Sequence, residues 1–388
     1  MSFLGRKLFI LSLLATLLFS SQALQAKEHG ERLVTVLLPE GISQREGVSL
    51  SLTGGPDILL ERHSNRHFSG LVASEFLERT FVVKRAPAGV SEVGYRGQGL
   101  PLRAVAPAAG PHWIFPVAWK DRLPEAQEGT VTGQVEEHEV TSPLLSGPRK
   151  LRVWLPPSYG SDSEREYQVV FMLDGQNLFN PALSFGGADW CADEVAHRLA
   201  QEEGLEIIIV GIDNGCARRL HEYTFCKGVI PGSQDQTPKG GGAAEHLKFL
   251  QETVEPYVRA NFRVSEDKPV LIGSSLGGLF GLWTALTHPD VFSAIGVISP
   301  SVWWADKAIV ELPLADHEER PRMWMDIGTK EGKDSVHNLW LAYCQVKELG
   351  WQEGVDFRCA VIPGGAHHES AWAFRLPAIL RFTVEGRR

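Results

Sequence analysis

Four short stretches of this 388-residue chain place nucleophile, acid, base and amide-donor chemistry just after apolar runs. One is Gly273-Ser274-Ser275-Leu276-Gly277, which follows Val270-Leu271-Ile272 and leads into Leu279, Phe280, Leu282, Trp283 and Leu286 at helical spacing. Read as strand, sharp turn and helix, it holds Ser275 at the tip of a strained turn, with glycines where a Cβ would strike neighbouring backbone. A serine hydroxyl is a weak nucleophile at neutral pH. It needs an imidazole to take its proton and a carboxylate to hold that imidazole in the right tautomer. Glu331, in Gly328-Thr329-Lys330-Glu331, follows the run Met323 to Ile327, and Asp334 is the alternative acid. His367, in Gly364-Gly365-Ala366-His367-His368-Glu369, follows the run Phe357 to Ile362. The fourth stretch, Asp174-Gly175-Gln176-Asn177, follows Gln168 to Leu173. Ester chemistry needs two backbone N–H groups aimed at the developing oxyanion. Leu276, next after the serine, supplies one, and Gly175 or Gln176 is placed to supply the other.

The elements that must position these loops are legible as pattern. In residues 131–388, continuous apolar strands alternate with helical stretches: Lys150 to Leu155, Gln168 to Leu173, Glu206 to Ile212, Val270 to Ile272, Ser293 to Ser299, Arg322 to Gly328 and Phe357 to Ile362. Helices are expected over Trp190 to Leu199, Glu245 to Ala260, Ser335 to Leu349 and from Ser370. Such a pattern implies a doubly wound, mostly parallel sheet covered on both faces, with an early antiparallel strand at Lys150 to Leu155. In that architecture ligands bind at the carboxyl ends of the strands, where all four loops fall. The chain order serine, acid, histidine is the order of the α/β-hydrolase fold.

Residues 27–130 have a different texture. Val34 to Leu38, Val48 to Leu52 and Thr80 to Lys84 are short, alternating and separated by Gly/Pro turns, which predicts a small all-β sandwich. Thr80 to Arg85, Glu92 and Pro116 to Asp121 give it a faint resemblance to immunoglobulin-like or starch-binding-like sandwiches. Trp113 and Trp119 could stack on a sugar, although packing inside the sandwich is the commoner use of such residues.

Arg6 and Lys7, the apolar run Leu8 to Phe19 and the small residues before Ala26 read as a signal peptide over residues 1–26. The apolar run is short for a span, and the mature protein is expected to be exported, periplasmic or secreted, without a membrane anchor. A formal charge of −9 and the lack of a dense basic run argue against a nucleic-acid partner. Five cysteines in an exported chain allow Cys216–Cys226 and Cys344–Cys359 as local pairs to test, with buried free thiols as the alternative, and their spacings match no zinc pattern.

From Arg149 to Phe382 the chain resembles the esterase family that takes in enterochelin esterases, feruloyl and acetyl xylan esterases, S-formylglutathione hydrolase and mycolyltransferases. The phrases that carry the resemblance are Leu173 to Phe179, Gly211 to Gly215 with Arg218, Arg219, Glu222 and Tyr223, Gly273 to Gly278, Ser299 to Trp304, Gly328 to Glu331 and His367 to Trp372. The resemblance implies Ser275 as nucleophile, His367 rather than His368 as base, Glu331 as acid, and the Gln176 N–H as second oxyanion donor. It further implies that Arg218 or Arg219 binds an anionic substrate, with a solvated basic pair as the plain alternative, and that Trp303 and Trp304 wall an acyl pocket, at least one of them sitting in the core.

The expected function is therefore serine-dependent hydrolysis of a small-molecule carboxylic ester, a siderophore ester or an aryl or acetyl ester, including one linked to a polysaccharide. No metal and no organic cofactor is required. An acyltransferase, peptidase or thioesterase of the same fold, or a non-catalytic carbohydrate-binding protein on a hydrolase scaffold, are the rival readings.

Overall fold

The computed structural model describes residues 32–119, with breaks at 39–42, 65–66, 74–75, 77–78, 88, 94–102, 105–111 and 115–117, and residues 131–384 except 186, 232–233 and 313–318. The expected signal peptide lies outside the described residues. The chain divides into two compact units, Met1–Pro124 and Glu125–Arg388.

The first unit contains β1 (Arg32–Leu37), β2 (Gly47–Leu52), β3 (Asp57–Leu59), β4 (Glu61–Arg62), β5 (His67–Val72), β6 (Thr80–Ala86), β7 (Val90–Val93), β8 (Arg103–Ala104), β9 (His112–Ile114) and β10 (Ala118–Trp119). They form two sheets, β4-β5-β1-β9 and β10-β7-β6-β2-β3, with β8 beside β6. Side chains alternate across a strand, so Val34 and Val36, Val48 and Leu50, Phe68 and Val72, and Phe81 and Val83 all turn into one shared core. The side chains of Trp113 and Trp119 lie outside the described residues.

The second unit is built on an eight-stranded sheet. Its strands are β11 (Gln134–Val140), β12 (Arg149–Leu155), β13 (Gln168–Leu173), β14 (Ile207–Ile212), β17 (Val270–Ser274), β18 (Ala294–Ile298), β19 (Arg322–Gly328) and β20 (Phe357–Ile362), in the order β11-β12-β14-β13-β17-β18-β19-β20. The pairs β11/β12 and β12/β14 are antiparallel and the remaining pairs are parallel. A small hairpin, β15 (Lys227–Gly228) with β16 (Lys239–Gly240), lies apart from it. The helices are α1 (Ala192–Glu203), α2 (Arg219–Tyr223), α3 (Ala243–Phe249), α4 (Glu255–Asn261), α5 (Leu276–Thr287), α6 (Ser335–Glu348), α7 (Glu369–Ala373) and α8 (Leu376–Val384).

The uninterrupted apolar runs are explained by burial on both faces. Leu271, Ile295, Val297, Met323 and Met325 share a core with Leu279 and Phe280 of α5 and Leu339 and Val346 of α6. A Cβ at Gly281 of α5 would meet Ile295, whereas one at Gly296, the next residue of β18, would meet Ile379 of α8. Successive strand residues face opposite sides, so α5 and α8 cover opposite faces of the sheet. Two helices differ from the expectation. The stretch expected as one helix from Glu245 to Ala260 is broken by a π-helical turn at Leu250–Val254, and the last helix is two, because Pro377 lacks the N–H needed to continue α7.

His246 of α3 is fully buried against Tyr223, Phe249 and Phe280, and neither ring nitrogen has a hydrogen-bond partner. Burial pushes its pKa from 6.5 down to about 4, with the charge of Arg149 acting in the same direction and those of Glu222 and Asp174 opposing it. The native state keeps this ring neutral while the unfolded chain protonates it, so its contribution to stability is complete above pH 6.5 and is lost as pH falls towards 4. At 1.36 kcal/mol per unit this is a loss of about 3 kcal/mol. Thermal unfolding of His246→Phe should therefore fall less between pH 6.5 and 4 than that of wild type, whatever the offset between the two at neutral pH.

Candidate active site

β17 ends at Ser274 and α5 begins at Leu276; between them Ser275 adopts φ 58°, ψ −120°. A non-glycine residue holds such a conformation only where its surroundings over-determine it. Here the Ser275 N–H donates to the Ile298 carbonyl, and the Ser275 carbonyl accepts from the Ser301 and Leu279 N–H groups, each at 3.0 Å. A Cβ at Gly273 would lie 2.6 Å from the Gly277 carbonyl, and one at Gly278 would lie 2.6 Å from the Ile298 carbonyl oxygen. The steric demand thus falls on Gly273 and Gly278. At Gly277 the nearest atom, on Leu173, would be 3.4 Å away, an ordinary contact.

His367, on the loop after β20, bridges to this turn. Its Nε2 lies 2.9 Å from Ser275 Oγ and its Nδ1 lies 2.9 Å from Glu331 Oε2. Glu331 follows β19, and its side chain is 1% exposed against 42% for His367. Its other oxygen accepts from Ser299 Oγ at 2.7 Å, the Gly328 N–H at 2.6 Å and Arg375 Nη2 at 3.1 Å. Burial alone would raise the Glu331 pKa; the His367 hydrogen bond, the Arg375 charge and the Ser299 hydroxyl outweigh it and hold the carboxyl below its usual value. Arg375 is itself buried and donates to Asp326 and to Ser299 Oγ. Trp372 closes the group, donating Nε1 to Ser299 Oγ at 3.0 Å and meeting the His367 ring edge to face.

His368 also lines the cleft described below, but its Nδ1 accepts from the Ser370 N–H at 3.3 Å and caps α7. Asp334 is exposed at the N-cap of α6, apart from His367.

The turn after β13 forms the other wall. Asp174 sits at φ 58°, ψ 49°, followed by a 3-10 turn at Gly175–Asn177. A Cβ at Gly175 would lie 2.5 Å from the Gly211 carbonyl carbon, so glycine is needed for the turn to rest on β14. Leu276 and Gln176 both belong to the first turn of a helical element, where N–H groups have no carbonyl behind them to bond. Asn177 Nδ2 donates to Glu369 Oε1 at 3.0 Å, and Asn177 Oδ1 accepts from the Phe185 N–H at 3.1 Å. Ser275, His367, Gln176 and Arg219 line one cleft of about 710 Å³, with Leu183 and Phe185 at its rim.

Several expected binding residues fall elsewhere. Arg218 is exposed and lines a separate cavity of about 300 Å³ with Pro148, Arg149 and Lys150. Trp304 is fully buried, with its Nε1 on the Cys226 carbonyl and its ring on Gly228 and Gly240 of the hairpin. Neither it nor Trp303, which is 37% exposed, lines the cleft. None of the five cysteines is in a disulfide: Cys216 is exposed at the cleft while Cys226 is held against Trp304, and Cys344 lies on the outer side of α6 while Cys359 lies in β20. Asp189, Cys191 and Glu194 have ligand atoms within 4.8 Å of one another, but they stand at the N-terminus of α1, whose positive end accounts for acidic side chains.

No role is assigned from sequence to Ser299, Asp326, Arg375, Asn177 or Glu369, although Asn177, Ser299 and Glu369 lie within the quoted motif phrases. The usable signal was Arg375, a lone charge in the apolar stretch Trp372 to Leu380.

A mostly parallel sheet wound on both faces, with a serine on a strand-to-helix elbow and a histidine after the last strand, defines the α/β-hydrolase class. The profile of the family described as "Putative esterase" matches residues 142–383, more than half of the chain, and the chain belongs to that family. YbbA of Bacillus subtilis is 29% identical over 246 residues, 61% of this chain and 90% of YbbA. The siderophore enterobactin esterase of Emericella nidulans is 33% identical over 178 residues, 42% of this chain and 57% of that protein. The crystal structure of the BES protein from Bacillus cereus superposes with a TM-score of 0.52 at 22% identity, covering 66% of this chain and 98% of that one. Among the described residues no helix is long and apolar enough to cross a membrane.

Proposed function

We propose that this esterase-family member is an exported serine hydrolase of carboxylic esters that works through an acyl-enzyme on Ser275. The observation that carries the reading is the linear contact Ser275 Oγ, His367, Glu331, with both links at 2.9 Å. His367 Nε2 takes the hydroxyl proton as Ser275 Oγ attacks the carbonyl carbon, and the Leu276 and Gln176 N–H groups hold the oxyanion. His367 then passes its proton to the leaving alkoxide. Water, deprotonated by His367, attacks the acyl-enzyme and releases the acid.

The likeness to an enterobactin esterase supports a siderophore ester as substrate class, with an aryl or acetyl ester as the alternative. The exposed Leu183 and Phe185 at the cleft rim suit an aromatic acyl group. Residues 1–26 are proposed to direct export, and residues 27–130 to form the immunoglobulin-like or starch-binding-like sandwich. A carbohydrate-binding protein on a dead scaffold would have no use for the strain at Ser275.

The reading is tested with a fluorophosphonate probe and p-nitrophenyl acetate. Labelling of wild type at Ser275, with turnover, is expected; a wild-type protein that neither takes the label nor hydrolyses the ester is not a serine esterase.

A further inference from the structure

We propose that Arg219 is a positioning residue for the oxyanion turn and not a receptor for substrate anions. The proposal rests on the reading of the Gln176 N–H as an oxyanion donor. Arg219 meets Asp174 through a two-pronged contact, Nε to Oδ1 at 2.7 Å and Nη2 to Oδ2 at 2.8 Å. The Asp174 side chain is 5% exposed, so its charge must be met inside the protein. Asn214 adds Nδ2 to Asp174 Oδ1 at 2.6 Å, and the Asn214 N–H donates to Gln176 Oε1 at 3.2 Å. The Asp174 N–H lies 3.3 Å from the hydroxyl of the fully buried Tyr223, whose ring lies 5.2 Å from the Arg219 guanidinium carbon.

Asp174 is the left-handed residue that opens the turn, and Gln176 follows it by two. Fixing the Asp174 carboxylate against Arg219 holds that strained backbone in place and with it the direction of the Gln176 N–H. The same contact cancels the arginine's charge, so the pair offers little net attraction to an anion. Without Arg219, Asp174 is a buried carboxylate lacking its counter-charge. It must take up a proton or swing towards water, and either change lets the turn relax.

The test uses the full-length protein with a neutral ester, p-nitrophenyl butyrate, and an anionic one, mono-p-nitrophenyl succinate. Arg219→Ala is expected to lower kcat on both by about 10- to 100-fold, the range for a displaced oxyanion donor, with KM within about two-fold. Asp174→Asn should match it, and the double variant should be no worse than the poorer single one, because the two act as one unit. Affinity for a trifluoromethyl ketone, whose adduct places an oxyanion in the hole, should fall by the same factor. Arg219→Lys, which keeps the charge without the fork, should recover part of the loss. If the alanine variant fails to fold, the lysine and Asp174→Asn variants carry the comparison. Normal kcat on the neutral ester with KM raised only for the anionic one would overturn the proposal, as would unchanged ketone affinity. So would an Asp174→Asn protein that binds the anionic ester more tightly through a freed Arg219. Wild-type turnover and labelling at Ser275 test the esterase reading separately, so a loss confined to anion affinity removes the positioning role and leaves that reading standing.

Discussion

Alanine at Ser275, at His367 or at both should lower kcat by the same factor, about 10⁵- to 10⁶-fold, on any ester that wild type turns over. The equality follows from the geometry. Ser275 Oγ and His367 Nε2 are 2.9 Å apart, and on the proposed mechanism neither group does chemistry alone: the hydroxyl needs its proton removed, and the water that the imidazole later activates attacks only the acyl-enzyme built on Ser275. On that mechanism, once one is gone the other adds nothing, and the remaining rate would come from the proposed oxyanion donors and from binding. Steady-state kcat of the three variants checks this. Losses that multiply in the double variant would mean that the two residues act independently. His368→Ala is the matched control on the neighbouring residue. Its imidazole caps α7 and lines the cleft without bonding Ser275 or Glu331, so kcat should stay within about three-fold while stability falls by about 1 kcal/mol, the usual cost of a lost cap.

Glu331→Gln should lower kcat by about 10⁴-fold and stability by about 1–3 kcal/mol. Oε1 of Glu331 accepts from Ser299, the Gly328 N–H and Arg375, so those three donors fix the amide oxygen of glutamine at that position. The amide NH₂ then faces His367 Nδ1 and forces it to accept. The proton moves to Nε2, where it blocks acceptance of the Ser275 proton. Charge matters as well. Glu331, held beside Arg375, presents a carboxylate to His367 that would balance the charge a protonated His367 carries during attack. Glutamine removes that compensation. The lowered Glu331 pKa fixes the pH dependence: stability from this carboxylate is complete above its unfolded value of 4.5 and is lost as pH falls through the lower folded value. Acid unfolding of the variant should lack that component, and Asp334→Asn, at an exposed N-cap, should leave both kcat and stability near wild type.

Fold and site are legible in the sequence where local pattern and local structure coincide. β19 occupies the expected residues because a strand buried along nearly its whole length writes itself as a mainly apolar run, and β20, half-buried at the edge of the sheet, was legible from Phe357, Ala360, Val361 and Ile362. The elbow was legible because its glycines and its serine are neighbours in the chain. Arg375 and Asp326 were not, because their role exists only after β19 and the segment between α7 and α8 have been brought together, 49 residues apart in sequence. Of Trp303 and Trp304, at least one was expected in the core, and Trp304 is there; which of the two was not legible, because it depends on the chain turning through Ser301 and sending the indole onto the hairpin glycines. Arg219 lines the cleft, but its engagement by Asp174 depends on two loops that meet only across the ends of β13 and β14.

The supports of the site are divided between two sides. Ser299, Arg375 and Asp326 buttress Glu331 from behind, while Leu183 and Phe185 face whatever enters the cleft. In evolutionary terms such a layout is modular: the rim can be rewritten for a new acyl group without disturbing the proton-handling residues. Asn177 is where that independence ends, because its amide group bonds both Glu369, two residues after His367, and Phe185 on the rim. Changes in preference that pass through this amide would carry a toll in rate, so laboratory evolution of new substrates should accumulate substitutions around it and leave it alone.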